Sequence, residues 1–297
     1  MSVALQCLPT SADAGRRLSA RLGLALHEIA LHRFPDGELR VTVGAAAATT
    51  IVYASLDQPN EKLLALTFAS EALRRGGARR LVLVAPYLCY MRQDAAFHEG
   101  EAISQKSIGR MLADAFDRVI TVDAHLHRTA HVEEVFPGIE ADDLSAVPAM
   151  AATLRASGVD SRTVVVGPDE ESRPWVADLA GRLGFDHAVA HKTRHGDRSV
   201  EIGFADPALF AGRPALLVDD IVSSGGTLIV CAKALRAASA TTVDAIVTHA
   251  LFAPELASAL FAAGIRSVKS TDSVPHPTNA IALDGILAAA LRREIGA

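Results

Sequence analysis

The densest chemistry in this 297-residue chain lies at Val218-Asp219-Asp220-Ile221-Val222-Ser223-Ser224-Gly225-Gly226-Thr227. The apolar run Ala215–Val218 ahead of it reads as a buried strand, and an alanine-rich helical stretch follows it. In a parallel sheet, ligands bind beyond the carboxyl ends of strands, where a helix N-terminus can face an anion. Gly225 and Gly226 let backbone amides come close to a phosphate. Ser223, Ser224 and Thr227 add hydroxyl donors, and the helix start adds its positive end. Asp219 and Asp220 would repel a phosphate, so they suit ribose hydroxyls or a magnesium ion beside them. The competing reading is an ordinary strand–turn–helix with an acidic N-cap. The meeting of carboxylates, hydroxyls and glycines at one strand end favours a sugar 5-phosphate.

Other stretches carry complementary chemistry. In His32-Arg33-Phe34-Pro35-Asp36-Gly37-Glu38, Phe34 can stack on a base while Asp36 and Glu38 accept its exocyclic amine. Pro35-Asp36-Gly37 is equally a plain turn signal. Arg92, beside Gln93 in Tyr90-Met91-Arg92-Gln93-Asp94, can neutralise phosphate charge. His191-Lys192-Thr193-Arg194-His195-Gly196-Asp197-Arg198 is a short basic run of the kind a lid over an anion uses, or else a solvated hairpin turn. His125, His127 and His131 follow Asp123 and raise the idea of zinc. Two histidines spaced by two on an extended segment are expected to face opposite ways, and no cysteine lies near them. His127 and His131 are therefore expected at the surface or an interface.

The elements that must position these residues follow a βα rhythm. Strands are expected at Thr49–Ser55, Arg80–Ala85, Arg118–Asp123, Thr163–Gly167, Pro214–Asp219, Val243–Ala250 and Ser267–Lys269. Helices are expected at Glu61–Arg75, Ser107–Phe116, Arg173–Leu183, Thr227–Ala238, Pro254–Ala263 and Leu283–Ile295. Alternation of this kind implies an α/β fold with mostly parallel sheets covered on both faces. The length suits about two domains. Pro137-Gly138 and the acidic stretch after it mark the boundary, giving domains at 1–140 and 141–280 and a last helix within 281–297.

Composition narrows the function classes. The chain is 50% hydrophobic and 21% charged, which is globular, and mean hydropathy is +0.24. Its longest apolar stretches are broken by Asp and Gly, well short of the ~20 residues a membrane span needs. Net charge of −5 argues against a nucleic-acid protein. Cys7, Cys89 and Cys231 form no disulfide framework or metal spacing, and no secretory signal precedes them, so a cytoplasmic location is expected.

The 218–227 loop resembles the signature of type I phosphoribosyltransferases and of ribose-phosphate pyrophosphokinases. Ser223 and Ser224 stand where those families usually carry an acidic residue and Thr. The first half chooses between them, because His32–Glu38 and Tyr90–Asp94 resemble the two nucleotide motifs of the pyrophosphokinases. The resemblance implies two similar phosphoribosyltransferase-like α/β domains, with the active site between them and completed across a subunit contact of a homo-oligomer. It implies transfer of the β,γ-diphosphate of ATP to ribose 5-phosphate, with Mg2+ as cofactor. Phe34, Asp36, Gly37, Glu38, Arg92, Gln93 and His125 would hold ATP. Asp219, Asp220 and Ser223 to Thr227 would hold the sugar phosphate. Asp123-Ala124-His125 resembles the family's Asp-x-His, which gives His125 a role at the magnesium nucleotide. Gly167-Pro168-Asp169 resembles its strand–Pro-Asp loop, which puts Asp169 near the metal. The run at 191–198 resembles its catalytic flap, with Lys192 and Arg194 as catalytic residues. Glu170, Glu171 and Ser172 depart from the family's small, glycine-rich positions. They are expected to start the next helix, where acidic charges are favourable. Two alternatives remain, a non-catalytic regulatory relative and a phosphoribosyltransferase.

Overall fold

The computed structural model describes residues 2–195 and 199–296, and for 192–195 and 199–201 the backbone alone. The chain divides into two compact units, each built on its own sheet.

The first unit contains β1 (Val3–Cys7), α1 (Ala12–Leu22), β2 (Leu26–Glu28), β3 (Ala30–Arg33), β4 (Leu39–Thr42), β5 (Thr49–Tyr53), α2 (Pro59–Arg75), β6 (Arg80–Val84), α3 (Ser104–Ala115), β7 (Arg118–Val122) and β8 (Glu140–Leu144). Six strands form a parallel sheet in the order β2-β1-β5-β6-β7-β8, and β3 and β4 form a separate antiparallel ribbon. Proline at the start of α2 suits the first helical turn, and Leu63, Leu66 and Leu73 recur at helical spacing. That stripe is buried against the face of the sheet carrying Val52, Leu81 and Leu83. Burying one such leucine contributes about 1.5–3 kcal/mol.

The second unit contains α4 (Val147–Ala156), β9 (Val164–Gly167), α5 (Arg173–Leu183), β10 (His187–Val189), β11 (His191–His195), β12 (Ser199–Gly203), β13 (Ala215–Val222), α6 (Gly226–Ala237), β14 (Val243–Ala250), α7 (Leu256–Ala262), β15 (Ile265–Thr271) and β16 (Asn279–Ile281). Its parallel sheet runs β10-β9-β13-β14-β15-β16, with β11 and β12 as a separate antiparallel ribbon. Val164, Val166, Ala215, Leu217, Val243, Ala245 and Val247 supply one buried face, alternating with residues of the other. The α/β class with two parallel sheets is thus present in both halves.

The division falls after Ser145, later than the 140/141 boundary expected from Pro137-Gly138. Residues of the acidic run 140–144 add to the first sheet as β8, pairing in parallel with β7. The last helix, α8 (Asp284–Ile295), belongs to the first unit. It buries Leu287 and Leu291 and places Glu294 between two arginines. Arg80 donates to Glu294 from Nε and Nη2 at 2.7 and 2.8 Å, and Arg118 donates from Nη1 at 2.9 Å. Asp142 and Glu140, both on β8, hold the same arginines from the other side, at 2.7 and 2.9 Å.

Candidate active site

In the second unit, β13 continues to Val222, beyond the strand end expected at Asp219. Its neighbour β14 keeps pairing with it, Asp219 opposite Val247, Ile221 opposite His249 and Val222 opposite Ala250. Both carboxylates therefore lie within the strand. Asp220 is buried and its Oδ1 accepts the Ile221 N–H at 2.7 Å; Asp219 Oδ1 accepts the Asp220 N–H at 3.1 Å. Burial, then the charges of Asp220 and Asp169, push the Asp219 carboxyl well above the usual carboxylate range. Asp219 thus carries its shift through burial first and through its two acidic neighbours second.

Beyond the strand, Ser223 and Ser224 form an exposed bend, and Gly225 has a φ of +71°. That left-handed backbone favours glycine. A Cβ there would also lie 2.6 Å from Leu256 Cδ2. Helix α6 then begins at Gly226, with its first bond from the Ile229 N–H to the Gly225 carbonyl at 2.9 Å. The amides at the start of α6 have no acceptor inside the helix, so they are available to an anion at the loop.

Leu256 follows a loop held by a hydrogen-bond chain that sequence reasoning missed. Its loop is anchored at one end by the Leu251 N–H on the Val222 carbonyl, at 2.8 Å. At the other, His276 Nε2 is 3.1 Å from the Phe252 carbonyl and must donate to it. Nδ1 is then the acceptor for the Thr278 hydroxyl at 2.7 Å, and that oxygen accepts from Ser270 Oγ at 2.7 Å. Asn279 Nδ2 closes the chain by donating to Ser270 Oγ at 2.9 Å. Burial lowers the His276 pKa, which keeps the ring in this neutral tautomer. The available signal was a histidine between Pro275 and Pro277, flanked by hydroxyl residues.

Asp169 follows β9 and leads into a short 3-10 turn, Glu170–Ser172, ahead of α5. Ser172 Oγ turns back to the Asp169 carbonyl at 2.5 Å. Glu170 and Glu171 are exposed, and Glu170 pairs with Arg173 through two bonds of 2.8 and 2.7 Å. These carboxylates lie in the turn before the helix, and Glu170 also meets His191 Nδ1 at 3.1 Å.

In the first unit, Phe34 to Glu38 form the tip of the β3–β4 ribbon. The Phe34 N–H donates to the Glu38 carbonyl at 2.8 Å, and Gly37 has a φ of +96°. Asp36 accepts the Glu38 N–H at 3.2 Å, so part of its carboxylate serves the turn itself. Phe34 is exposed, with the His32 ring edge-on to it and the Arg40 guanidinium 5.9 Å from its centroid. Arg33 pairs with Glu61 in the first turn of α2, and the Tyr90 hydroxyl reaches Asn60 in that turn.

Arg92 is exposed, and Gln93 donates to the Ala95 carbonyl at 3.1 Å. A buried carboxylate, Asp94, ties this loop to the one after β7. It accepts the Arg128 guanidinium at 2.7 Å and the Arg128 N–H at 3.2 Å. The structure therefore joins the Arg92–Gln93 segment to the His125 segment through an ion pair that nothing in the motif pattern announced.

His125 is half-buried, and its ring meets that of His127 edge-on, 4.1 Å between centroids. This corrects the expectation that the two would face opposite ways. The chain leaves β7 at Asp123, whose φ is +42°, so the segment is not an extended strand. Among the described residues no three His, Cys, Asp or Glu side chains are grouped to hold a metal ion, so the structure shows no zinc cluster. Lys192 and Arg194 lie on β11, opposite Ile202 and Val200 of β12, and their side chains lie outside the described residues.

Two parallel sheets, one ending in an Asp-Asp strand and a glycine turn into a helix, define a phosphoribosyltransferase-like α/β protein. Two sequence profiles match the halves. One is described as the N-terminal domain of ribose phosphate pyrophosphokinase, over residues 4–115, and the other as a phosphoribosyl transferase domain, over residues 142–269. The chain is 33% identical over 284 residues to a ribose-phosphate pyrophosphokinase of Methanopyrus kandleri, covering 95% of this chain and 96% of that one. It is also 33% identical to ribose-phosphate pyrophosphokinase 2 of Archaeoglobus fulgidus, covering 94% and 97%. The solved structure of phosphoribosylpyrophosphate synthetase from Mycobacterium smegmatis shares the fold, with a TM-score of 0.87 at 24% identity, covering 100% and 99% of the two chains. The chain belongs to the ribose-phosphate pyrophosphokinase family.

Proposed function

We propose that this protein transfers the β,γ-diphosphate of ATP to the anomeric hydroxyl of ribose 5-phosphate. The hydroxyl oxygen attacks the β-phosphorus, the bond from that phosphorus to the α,β-bridging oxygen breaks, and AMP leaves. The observation that carries this reading is the full-length likeness to pyrophosphokinases, whose N-terminal domain precedes the Asp219–Thr227 cradle. A phosphoribosyltransferase accounts for the cradle alone, and a non-catalytic relative is not favoured by relatives that carry the enzyme's name.

Positioning and charge neutralisation supply the rate in such a transfer. Asp219 and Asp220 face the ribose hydroxyls, while Ser223, Ser224, Gly225, Gly226 and Thr227 bind the 5-phosphate. Phe34, Asp36, Gly37, Glu38, Arg92, Gln93 and His125 hold the nucleotide, and Lys192 and Arg194 meet the charge that develops on the transferred group. Asp169, whose charge acts on Asp219, would offer a magnesium ion the kind of oxygen ligand that it takes. Asp169 is its proposed contact in the second unit, and His125, in the first, is proposed to meet the magnesium nucleotide; the ion would neutralise phosphate charge. Purified protein with ATP, magnesium and ribose 5-phosphate should release AMP and phosphoribosyl diphosphate in equal amounts. AMP release that does not depend on the sugar phosphate would sink this reading.

Gly225→Ala should raise the Michaelis constant for ribose 5-phosphate by about tenfold, equivalent to about 1.4 kcal/mol, and change that for ATP little. The alanine must adopt a left-handed φ at a cost of about 1–2 kcal/mol, and its Cβ displaces Leu256. Adding Leu256→Ala relieves the second effect and not the first, so the double variant should recover only in part. Equal Michaelis constants in wild type and Gly225→Ala would remove the loop from phosphate binding.

We also place the protein in the cytoplasm, consistent with three free, buried cysteines, and propose that it forms a homo-oligomer. No helix among the described residues is long and apolar enough to cross a membrane. Leu64 and Phe68 lie one turn apart on α2 and are exposed, as is Met111 on the adjacent α3. Light scattering should give at least twice the 31.2 kDa chain mass, with Phe68→Glu shifting it down. A monomer at assay concentrations would contradict this.

A further inference from the structure

At the amino-terminal ends of β9, β13, β14 and β15, opposite the Asp219–Thr227 end, the second unit contains a half-open cavity of about 590 Å³. That volume is in the usual range for small-molecule pockets, about 300–1,000 Å³. Strand alternation explains why it exists. Ala215, Leu217, Ala245 and Val247 turn into the hydrophobic core, so Leu216 and Ile246 face the other side of the sheet. A parallel sheet is normally covered on both faces. Here the end of α4, with Leu154 and the Ser157–Val159 turn, reaches over the strands and leaves space beneath it.

The charges around the cavity are unequal in kind. Asp160 and Arg162 pair with each other, at 2.8 Å between Oδ2 and Nη2. Asp244 holds Arg266 through bonds of 3.1 and 2.5 Å and Ser267 through a third of 2.7 Å. The register shift between β14 and β15 brings those two consecutive residues to one carboxylate. These two ion pairs are internally neutral. Lys269 sits opposite Ile246 on β15 and lines the same cavity. Among the described residues it makes no ion pair or hydrogen bond, and it is half-buried. The last carbonyls of α4 do not balance it, since those of Thr153, Leu154 and Arg155 accept from Ser157, Val159 and Gly158. The cavity therefore offers an apolar floor and one uncompensated cation.

We infer that this cavity binds an organic anion with an apolar or aromatic body, at a site separate from the Asp219–Thr227 cradle. The apolar part covers Val159 and the accessible edge of Leu216, and its acidic group meets the Lys269 ammonium. The anion completes a charge-assisted contact that the protein leaves open.

The test uses the full chain and 8-anilinonaphthalene-1-sulfonate as the anionic aromatic probe, with AMP and ribose 5-phosphate present to fill the other site. Fluorescence titration should show one probe per chain. Lys269→Met should weaken it at least about tenfold, and Val159→Phe should fill the space and abolish the signal. Both variants should retain diphosphate transfer, since neither residue belongs to that machinery. Lys269→Gln serves in place of Lys269→Met if the latter does not fold. A surface control, Lys233→Met, should bind as wild type does. Unchanged affinity in Lys269→Met or Lys269→Gln, or an equal loss in the control, overturns the proposal. Probe binding that appears only after dilution dissociates the protein overturns it too, because the cavity would then be covered by a second copy of the chain.

Discussion

Lys192→Ala is expected to lower kcat by about 10²–10³-fold, the loss seen when one preorganised group facing transition-state charge is removed. Substrate Michaelis constants should change much less, because a group that meets charge developing during transfer acts mainly on the transition state. The fold should not suffer. Lys192 lies on β11, which among the described residues pairs with β12 in a two-stranded sheet apart from the parallel one. Far-ultraviolet circular dichroism of the variant should therefore match wild type. Lys192→Arg should recover part of the rate, since the cation is kept while its shape and reach change. If Lys192→Ala keeps kcat but raises the Michaelis constant for ATP, the lysine is a ground-state nucleotide contact and not a catalytic residue.

The strand–turn–helix proposed to cradle the sugar phosphate was the most legible part of the molecule. Carboxylates, hydroxyls and glycines occur in one short run there, and local rules about strand ends and helix starts suffice to interpret it. The strand itself was placed too short, because Ile221 and Val222 are held by β14, a partner that local pattern does not identify. Strand β8 was missed for the opposite reason. Glu140-Ala141-Asp142-Asp143-Leu144 is acidic and looks like a linker, yet its backbone pairs with β7 and its Asp142 carboxylate serves Arg118. The His125–His127 contact depended on one residue with positive φ, Asp123, and no periodicity rule anticipates that. The Asp94–Arg128 pair joins residues far apart in sequence, and each had an ordinary surface explanation by itself. Residues whose roles come from neighbours in sequence were readable; those whose roles come from neighbours in space were not.

The same contrast makes Glu294 the site of the largest expected loss of stability. Near the end of the chain, in Arg292-Arg293-Glu294, it reads as one more solvated charge on a terminal helix. In the structure its side chain is 4% exposed and it accepts from Arg80 and from Arg118, which is 2% exposed. Glu294→Ala should destabilise the protein by about 3–5 kcal/mol, as expected when one member of a buried ion pair is removed and its partner stays charged. Asp142 and Glu140 remain to hold the arginines and keep the loss from going higher. Glu294→Gln, which keeps the shape and an accepting oxygen, should lose less. Replacing an exposed i,i+4 partner such as Glu71, which pairs with Arg75 at 3.0 Å, should cost under about 1 kcal/mol. The pH dependence has a definite sign. Burial raises the Glu294 pKa, but the hydrogen bonds and charges of Arg80 and Arg118 together outweigh it and hold the carboxyl below its ordinary value. A carboxylate lowered in the folded state stabilises fully above its unfolded pKa, about 4.3, and the contribution is lost as pH falls through the folded value. Urea unfolding should therefore show a gap between wild type and Glu294→Ala that is constant from pH 7 to pH 5 and narrows below about pH 4. The gap should appear in the midpoint with little change in the slope. A gap under 1 kcal/mol at pH 7, or one that widens on acidification, would show that α8 is held by Leu287 and Leu291 alone.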